Sequence, residues 1–193
     1  MPFDFDRYRT LRRSASVGAE LVYREVVTST MDEARAGVAA GRPAGTAYVA
    51  GEQTAGRGRE GRTWISAAEV GLYVTYHLIP PHPTEAPLLS IAGALAVADA
   101  LRSTCGLVVD LKWPNDLLYE GRKLCGVLAE AQHNQGRADV FLGIGVNLTT
   151  SAALPPEVAA IATSVAGAGA PPPSREALLA ALAGAIERRA MQA

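Results

Sequence analysis

The chain is poor in the residues that build disulfide frameworks and metal centres. Cysteine occurs twice in 193 residues, at Cys105 and Cys125, and histidine three times, at His77, His82 and His133. No Cys-x-x-Cys pair is present and the histidines are scattered, which argues against a disulfide scaffold and against a metal site. An excess of charge of either sign is also missing: 18 Lys and Arg balance 19 Asp and Glu, for a net charge of −1. Extended contact with a nucleic-acid backbone calls for a basic face, so general nucleic-acid binding is disfavoured. No run of roughly 18 uncharged apolar residues bounded like a membrane span occurs. The opening residues, Met1-Pro2-Phe3-Asp4-Phe5-Asp6-Arg7, contain no apolar segment of the signal-peptide kind. A cytoplasmic location without a membrane partner is the expectation.

What is present is a hydrophobic fraction of 49%, enough for one buried core at this length. Residues 1–21 show no clear period and are expected to be an irregular lead-in, with a single domain over 22–193. Leu21–Val26 has strand composition. Thr30-Met31-Asp32-Glu33 fits a capping box, with Thr30 as N-cap and Glu33 three residues on, opening a helix that Gly41 stops. Thr46–Ala50 predicts a strand. Leu72, Val74, Tyr76 and Leu78 alternate along a half-buried strand. Residues 88–101 are apolar all round, a buried helix. A strand over 108–113 is stopped by Pro114, and hairpins follow across Glu120-Gly121 and Asn134-Gln135-Gly136. A short helix follows Pro155-Pro156, residues 166–173 form a hinge, and a final helix starts at Ser174. Helices mixed with antiparallel hairpins make the class α+β.

Five segments carry chemistry. In Glu52-Gln53-Thr54-Ala55-Gly56-Arg57-Gly58-Arg59-Glu60-Gly61-Arg62-Thr63-Trp64, glycines let the backbone approach a ligand and arginines offer planar forks to phosphate or carboxylate. This predicts a flexible clamp for a small anion; a solvated basic turn is the plainer reading. Ser29 stands beside the capping Thr30, left over as a ligand contact at a helix N-terminus. In Lys112-Trp113-Pro114-Asn115-Asp116 the proline forces a turn presenting Asn115 and Asp116. Lys123 puts a charge at the end of an apolar strand and needs an anionic partner, either Glu130 or a bound anion. Gly126 in that strand marks a close approach. Gly143-Ile144-Gly145-Val146-Asn147 forms a second glycine-weakened strand, closed by an amide.

In this order and spacing the five segments closely resemble the catalytic domain of the biotin protein ligases, over about Val22 to Asn147. The resemblance implies a mixed β-sheet flanked by helices, related to class II aminoacyl-tRNA synthetase cores and to the biotin–lipoate ligase core. It implies that biotin and ATP, with Mg²⁺, give biotinyl-5′-AMP, and that a lysine of a biotin carboxyl carrier domain then takes the biotinyl group. Lys123, Arg57 and Asp116 would be catalytic. Ser29, Thr30, Gln53, Gly56, Arg57, Lys123 and Gly126 would hold biotin. Arg59, Arg62, Trp64, Asn115 and Asn147 would hold the nucleotide, with no protein metal site. Family members usually carry a small C-terminal β-barrel after the catalytic core, and its absence here is the expectation. The 21 residues before Val22 are too few for a winged-helix domain, so no DNA partner is expected. A homodimer is allowed. A lipoate or octanoate ligase of the same fold, a biotin-adenylate-binding module lacking transfer, and an Arg-Gly RNA binder are the alternatives. Glu60 lowers the positive charge of the arginine segment.

Overall fold

The computed structural model describes residues 3–134, 136–150 and 154–190. Among these residues seven strands form one sheet in the order β1-β2-β3-β7-β6-β5-β4: Leu21–Val27, Ala47–Gln53, Gly71–Leu78, Arg137–Asn147, Arg122–Asn134, Asp116–Tyr119 and Asp110–Lys112. Strands β1 and β2 run parallel, joined by helix α2, Thr30–Ala39. All other neighbours are antiparallel. The expected mixed sheet flanked by helices is the fold.

One face of the sheet carries the main core. Leu72, Val74, Tyr76 and Leu78 of β3, with Val140, Leu142, Ile144 and Val146 of β7, point at helices α3 (Leu88–Cys105) and α5 (Arg175–Ala190). Leu178, Leu179, Leu182 and Ile186 of α5 are buried there, each worth roughly 1.5–3 kcal/mol of apolar transfer. The final helix, α5, is therefore part of the core, and the 166–173 stretch is the connection that delivers it. The short helix expected after Pro155-Pro156 is α4 (Pro156–Ala159). Helix α3 is long and apolar enough to cross a membrane by length and composition. Here its inner positions Leu89, Val97 and Leu101 are buried against the sheet and α5, and its Asp99 accepts a hydrogen bond from Arg189 at 2.7 Å.

The opposite face is covered by α2 through Met31, Ala34, Tyr48 and Phe141. This second cover corrects the half-buried reading of β3, all eight residues of which are buried. Its alternate residues look half-polar in sequence, yet each finds a partner. Tyr73 Oη donates to Ala67 O at 3.0 Å, Thr75 meets Thr30 at 2.9 Å, and His77 Nε2 meets Asp139 at 2.7 Å. The strand expected over 108–113 shrinks to Asp110–Lys112, an exposed edge.

Two expectations near the N-terminus are corrected. Residues 1–21 are not wholly irregular: helix α1 spans Phe5–Leu11, capped by Asp4, whose side chain accepts from Arg7 N. A seven-residue helix is too short to display a period. It is held from outside, by burial of Tyr8 and the bond from Tyr8 Oη to Gly18 O at 2.9 Å. The cap of α2 is Ser29, whose hydroxyl accepts from Met31 N, and Thr30 is already helical. Gly41 follows the helix with φ of 81°, as expected of a stop.

The 15–17 segment is tied down by Glu187 of α5, which accepts from the backbone N–H groups of Ala15, Ser16 and Val17. Partial burial works against the charged carboxylate, but the three N–H groups and the Ser16 hydroxyl outweigh it and lower its pKa to about 2. A depressed carboxylate stabilises the fold above its unfolded pKa of about 4.3 and loses that contribution as pH falls through about 2. Glu187→Gln is therefore expected to lower the melting temperature at pH 7, and the gap to the parent protein should close between about pH 4 and pH 2. Thermal melts across that range check it; a gap independent of pH would refute the assignment.

Candidate active site

Strand register builds the floor of the site. Direct cross-strand partners share a face. Tyr73 pairs with Gly145, Gly145 with Gly126, and Gly126 with Asp116, one row across β3, β7, β6 and β5. The next row is Thr75, Gly143 and Leu128. Three glycines thus remove the side chains from the middle of the α2-side face. The Trp64 indole lies in the space they leave: a Cβ on Gly145 would come within 2.4 Å of the ring, and one on Gly126 within 3.0 Å.

Lys123 reaches this floor because the β5–β6 pairing slips between Leu117 and Leu118. In a regular strand Lys123 and Gly126 would face opposite ways; one extra residue on β6 brings them to the same side while Leu124 and Cys125 both stay in the core. Lys123 Nζ then sits 5.5 Å from the Trp64 ring centroid and 2.7 Å from Asp116 Oδ1. Both partners are half-buried. Residues 161–163 hold the Lys123 backbone, with Lys123 N donating to Ile161 O at 2.7 Å and Thr163 N to Lys123 O at 2.8 Å. Buried Cys125 lies just behind, its thiol pKa pushed up by burial.

The expectation that Glu130 pairs with Lys123 is corrected. Its partner is Asp116, and Glu130 bonds instead to Arg35 of α2, whose guanidinium lies 4.9 Å from the Phe141 ring centroid.

Beyond Trp64 a buried polar relay begins. Gln53 Oε1 accepts from Thr30 N at 2.8 Å and Thr30 Oγ1 at 3.1 Å, and Gln53 Nε2 donates to Ser66 Oγ at 2.6 Å. The single Thr30 proton goes to Gln53, so Thr75 Oγ1 donates to Thr30 across their 2.9 Å contact. Ser29, by capping α2, leaves Thr30 free for this chain, the reverse of the roles expected from the sequence. Gly56 packs beside it: an added Cβ would lie 2.9 Å from Ser66 Oγ and 3.2 Å from Gln53 Nε2.

The Gly/Arg segment is a narrow ribbon. Trp64 N donates to Gly56 O at 2.9 Å and Gly58 N to Arg62 O at 2.7 Å, and Arg57 pairs with Thr63. Between it and Leu128 and Glu130 of β6 runs an open groove of about 550 Å³. Arg57 is bonded to Asp32 in the first turn of α2. Arg59 reaches Asn115 Oδ1 at 3.4 Å, while Asn115 Nδ2 donates to Val127 O at 2.7 Å.

Arg62 also lines this groove, and its exposed side chain pairs at 2.7 Å with Glu60, another lining residue, so Glu60 lowers the positive charge there. One expected nucleotide residue stands outside this cluster. Asn147 donates to Thr163 O at 2.9 Å and lines a separate cavity of about 110 Å³ with Arg122, Thr149 and Ser164. Conversely, Thr75, Ser66 and Asp32 were not singled out by the sequence. Thr75 could have been found as the polar residue between Tyr73 and His77 on an inward face; Ser66 and Asp32 carry no comparable signal.

The sequence model of the Biotin/lipoate A/B protein ligase family matches residues 23–147. The chain is 38% identical over 155 residues to the bifunctional ligase/repressor BirA of Bacillus spizizenii, covering 79% of this chain and 48% of that protein. It is 36% identical to the biotin–[acetyl-CoA-carboxylase] ligase of Mycobacterium tuberculosis, over 77% of this chain and 55% of the relative. The chain thus spans about half the length of the curated relatives it matches. Among solved structures it superposes on the Aquifex aeolicus biotin protein ligase in complex with biotin and ATP, with TM-score 0.75 and 29% identity over 90% of this chain and 71% of that one. The Leishmania major biotin protein ligase in complex with biotinyl-5-AMP gives TM-score 0.69 and 31% identity, over 90% and 77% of the two chains. With the family model matched across every strand that forms the floor, this chain belongs to the biotin/lipoate A/B protein ligase family.

Proposed function

We propose that the chain is an ATP-dependent ligase that activates biotin as biotinyl-5′-AMP and passes it to a lysine of a biotin carboxyl carrier domain. The observation that carries this reading is the Lys123–Asp116 pair beside the glycine floor, with Arg57 on the ribbon above the neighbouring groove. In the first step a biotin carboxylate oxygen attacks the α-phosphorus of ATP and the bond to pyrophosphate breaks. Two anions must meet, and Lys123 and Arg57 supply the positive charge that lets them. In the second step the carrier amine attacks the acyl carbon, the C–O bond to AMP breaks, and the amine proton passes towards Asp116. Trp64 and the ribbon shield the anhydride from water.

Trp64, Asn115, Arg59, Arg62 and, across the Thr163 segment, Asn147 would border the nucleotide. Ser29, Thr30, Gln53, Gly56 and Gly126 would border biotin, Ser29 through the cap it places on α2. Among the described residues no group of three or more His, Cys, Asp or Glu side chains can hold a metal ion, and Asp116 is engaged by Lys123. The protein's donor set does not fit a resident metal; Mg²⁺ would travel with the ATP phosphates as part of the substrate.

Lipoate and octanoate are the competing acids within the family. Their tails are apolar, whereas the Thr75–Thr30–Gln53–Ser66 relay groups donors and acceptors beside the glycine floor, which would suit a ureido ring. The family match gives no support to the Arg-Gly RNA reading.

Biotin-dependent exchange of pyrophosphate into ATP should be seen, and lipoate or octanoate should not replace biotin; biotinylation of a carrier domain should follow. Exchange without transfer would support a module confined to adenylation, and absence of exchange with all three acids would sink the proposal. Lys123→Ala should reduce exchange about 100-fold or more, by loss of a preorganised charge. Thr75→Val, which cuts the relay without changing side-chain size, should raise the KM for biotin roughly fivefold to tenfold with kcat little changed. An unchanged KM would place the ureido ring elsewhere.

A further inference from the structure

Arg57 sits between Gly56 and Gly58, and the ribbon's main-chain bonds hold its backbone against Thr63 while leaving its side chain free to turn. Yet its guanidinium has a fixed partner. Arg57 Nη2 bonds to Asp32 Oδ1, and Asp32 Oδ2 lies 3.4 Å from Thr28 Oγ1. Asp32 belongs to the first turn of α2, two residues after Thr30 of the polar relay. At its base the ribbon is held by main chain, with Thr54 N donating to Val27 O and Ala55 N to Thr28 O. Further out, Arg57–Asp32 links it to α2, and the longer Arg59–Asn115 contact links it to the opposite bank.

We infer that Asp32 is a positioning residue: it anchors Arg57, and with it the ribbon, so that the rest of the guanidinium fork is held ready for the acid's carboxylate. This deepens the ligase reading and rests on it. Only one arm of the fork touches Asp32; an arginine has five donors, so the bond aims the group without consuming it. Helix α2, fixed by its Ser29 cap and by Met31 and Ala34 in the core, is a rigid post for a flexible loop. The other carboxylate of α2 is engaged elsewhere: Glu33 faces Arg24 of β1 at 3.8 Å. Preorganisation of this kind acts on ligand affinity, because the ordering entropy is met before binding.

The test compares Asp32→Asn and Asp32→Glu with the parent protein in biotin-dependent pyrophosphate exchange. Asp32→Asn should raise the KM for biotin roughly fivefold, the scale of a half-exposed ion pair, with kcat within about twofold and the melting temperature unchanged. Asp32→Glu should recover most of the loss. In an Arg57→Ala background, Asp32→Asn should have no further effect. A KM that stays the same or falls, or an equal rise in the Arg57→Ala background, would overturn the inference. Should the parent protein show no exchange with biotin, the ligase reading fails first. Trypsin cleavage of the ligand-free ribbon then decides the anchor alone: several-fold faster cutting after Arg57 and Arg59 in Asp32→Asn supports it, and equal rates refute it.

Discussion

Everything at the site depends on the pairing of Gly126 with Gly145 at the centre of the sheet. Two strands that face each other with glycine give up packing and propensity there, a cost of about 0.5–1 kcal/mol for each interior glycine. What they gain is a floor without side chains, bordered by Tyr73 on one side and Asp116 on the other. Trp64 lies on that floor and Lys123 beside it. A single methyl group at Gly145 would displace the indole, and with it the end of the ribbon that carries the arginines.

The cost is met on the other face of the same strands. Val127, Ile144 and Val146 alternate with these glycines and pack under α3 and α5, in the larger of the two cores. The sheet is therefore one-sided in its energetics: stability resides beneath it, and chemistry lies on the α2 side. The slip between β5 and β6 uses the same division. It keeps Leu124 and Cys125 in the lower core and still turns Lys123 up to the floor, where Asp116 balances its charge.

Much of this was legible in the sequence. Strands β1, β2, β5, β6 and β7 and helices α2, α3 and α5 follow from their patterns, because each carries a full period or a clear stop such as Gly41. Helix α1 was not legible, since its stability comes from Tyr8 and from contact with α5 rather than from its own residues. The exchange of roles between Ser29 and Thr30 was hidden too. Both are good caps, and only the position of Gln53 across the sheet selects Thr30 for the relay. Pairing of charges showed the same limit: Glu130 shares a strand with Lys123, yet Arg35 and Asp116 take the two of them apart.

By itself the sequence determined the residue types and their order: the glycine-spaced arginines, the Lys-Trp-Pro-Asn-Asp turn, the lone strand lysine and the Gly-x-Gly strand. Those are local properties, fixed by which side chain or absence of one stands at each position, and they sufficed to place the chain in its family. Which of these groups meet was decided by tertiary structure alone. Register, the β5–β6 slip and the placement of α2 bring Lys123 to Asp116, Arg57 to Asp32 and Thr75 to Thr30, over separations that no periodicity spans. The physical reason is that side-chain partners are chosen by distance across a folded sheet, where a one-residue shift turns a group from the site into the core.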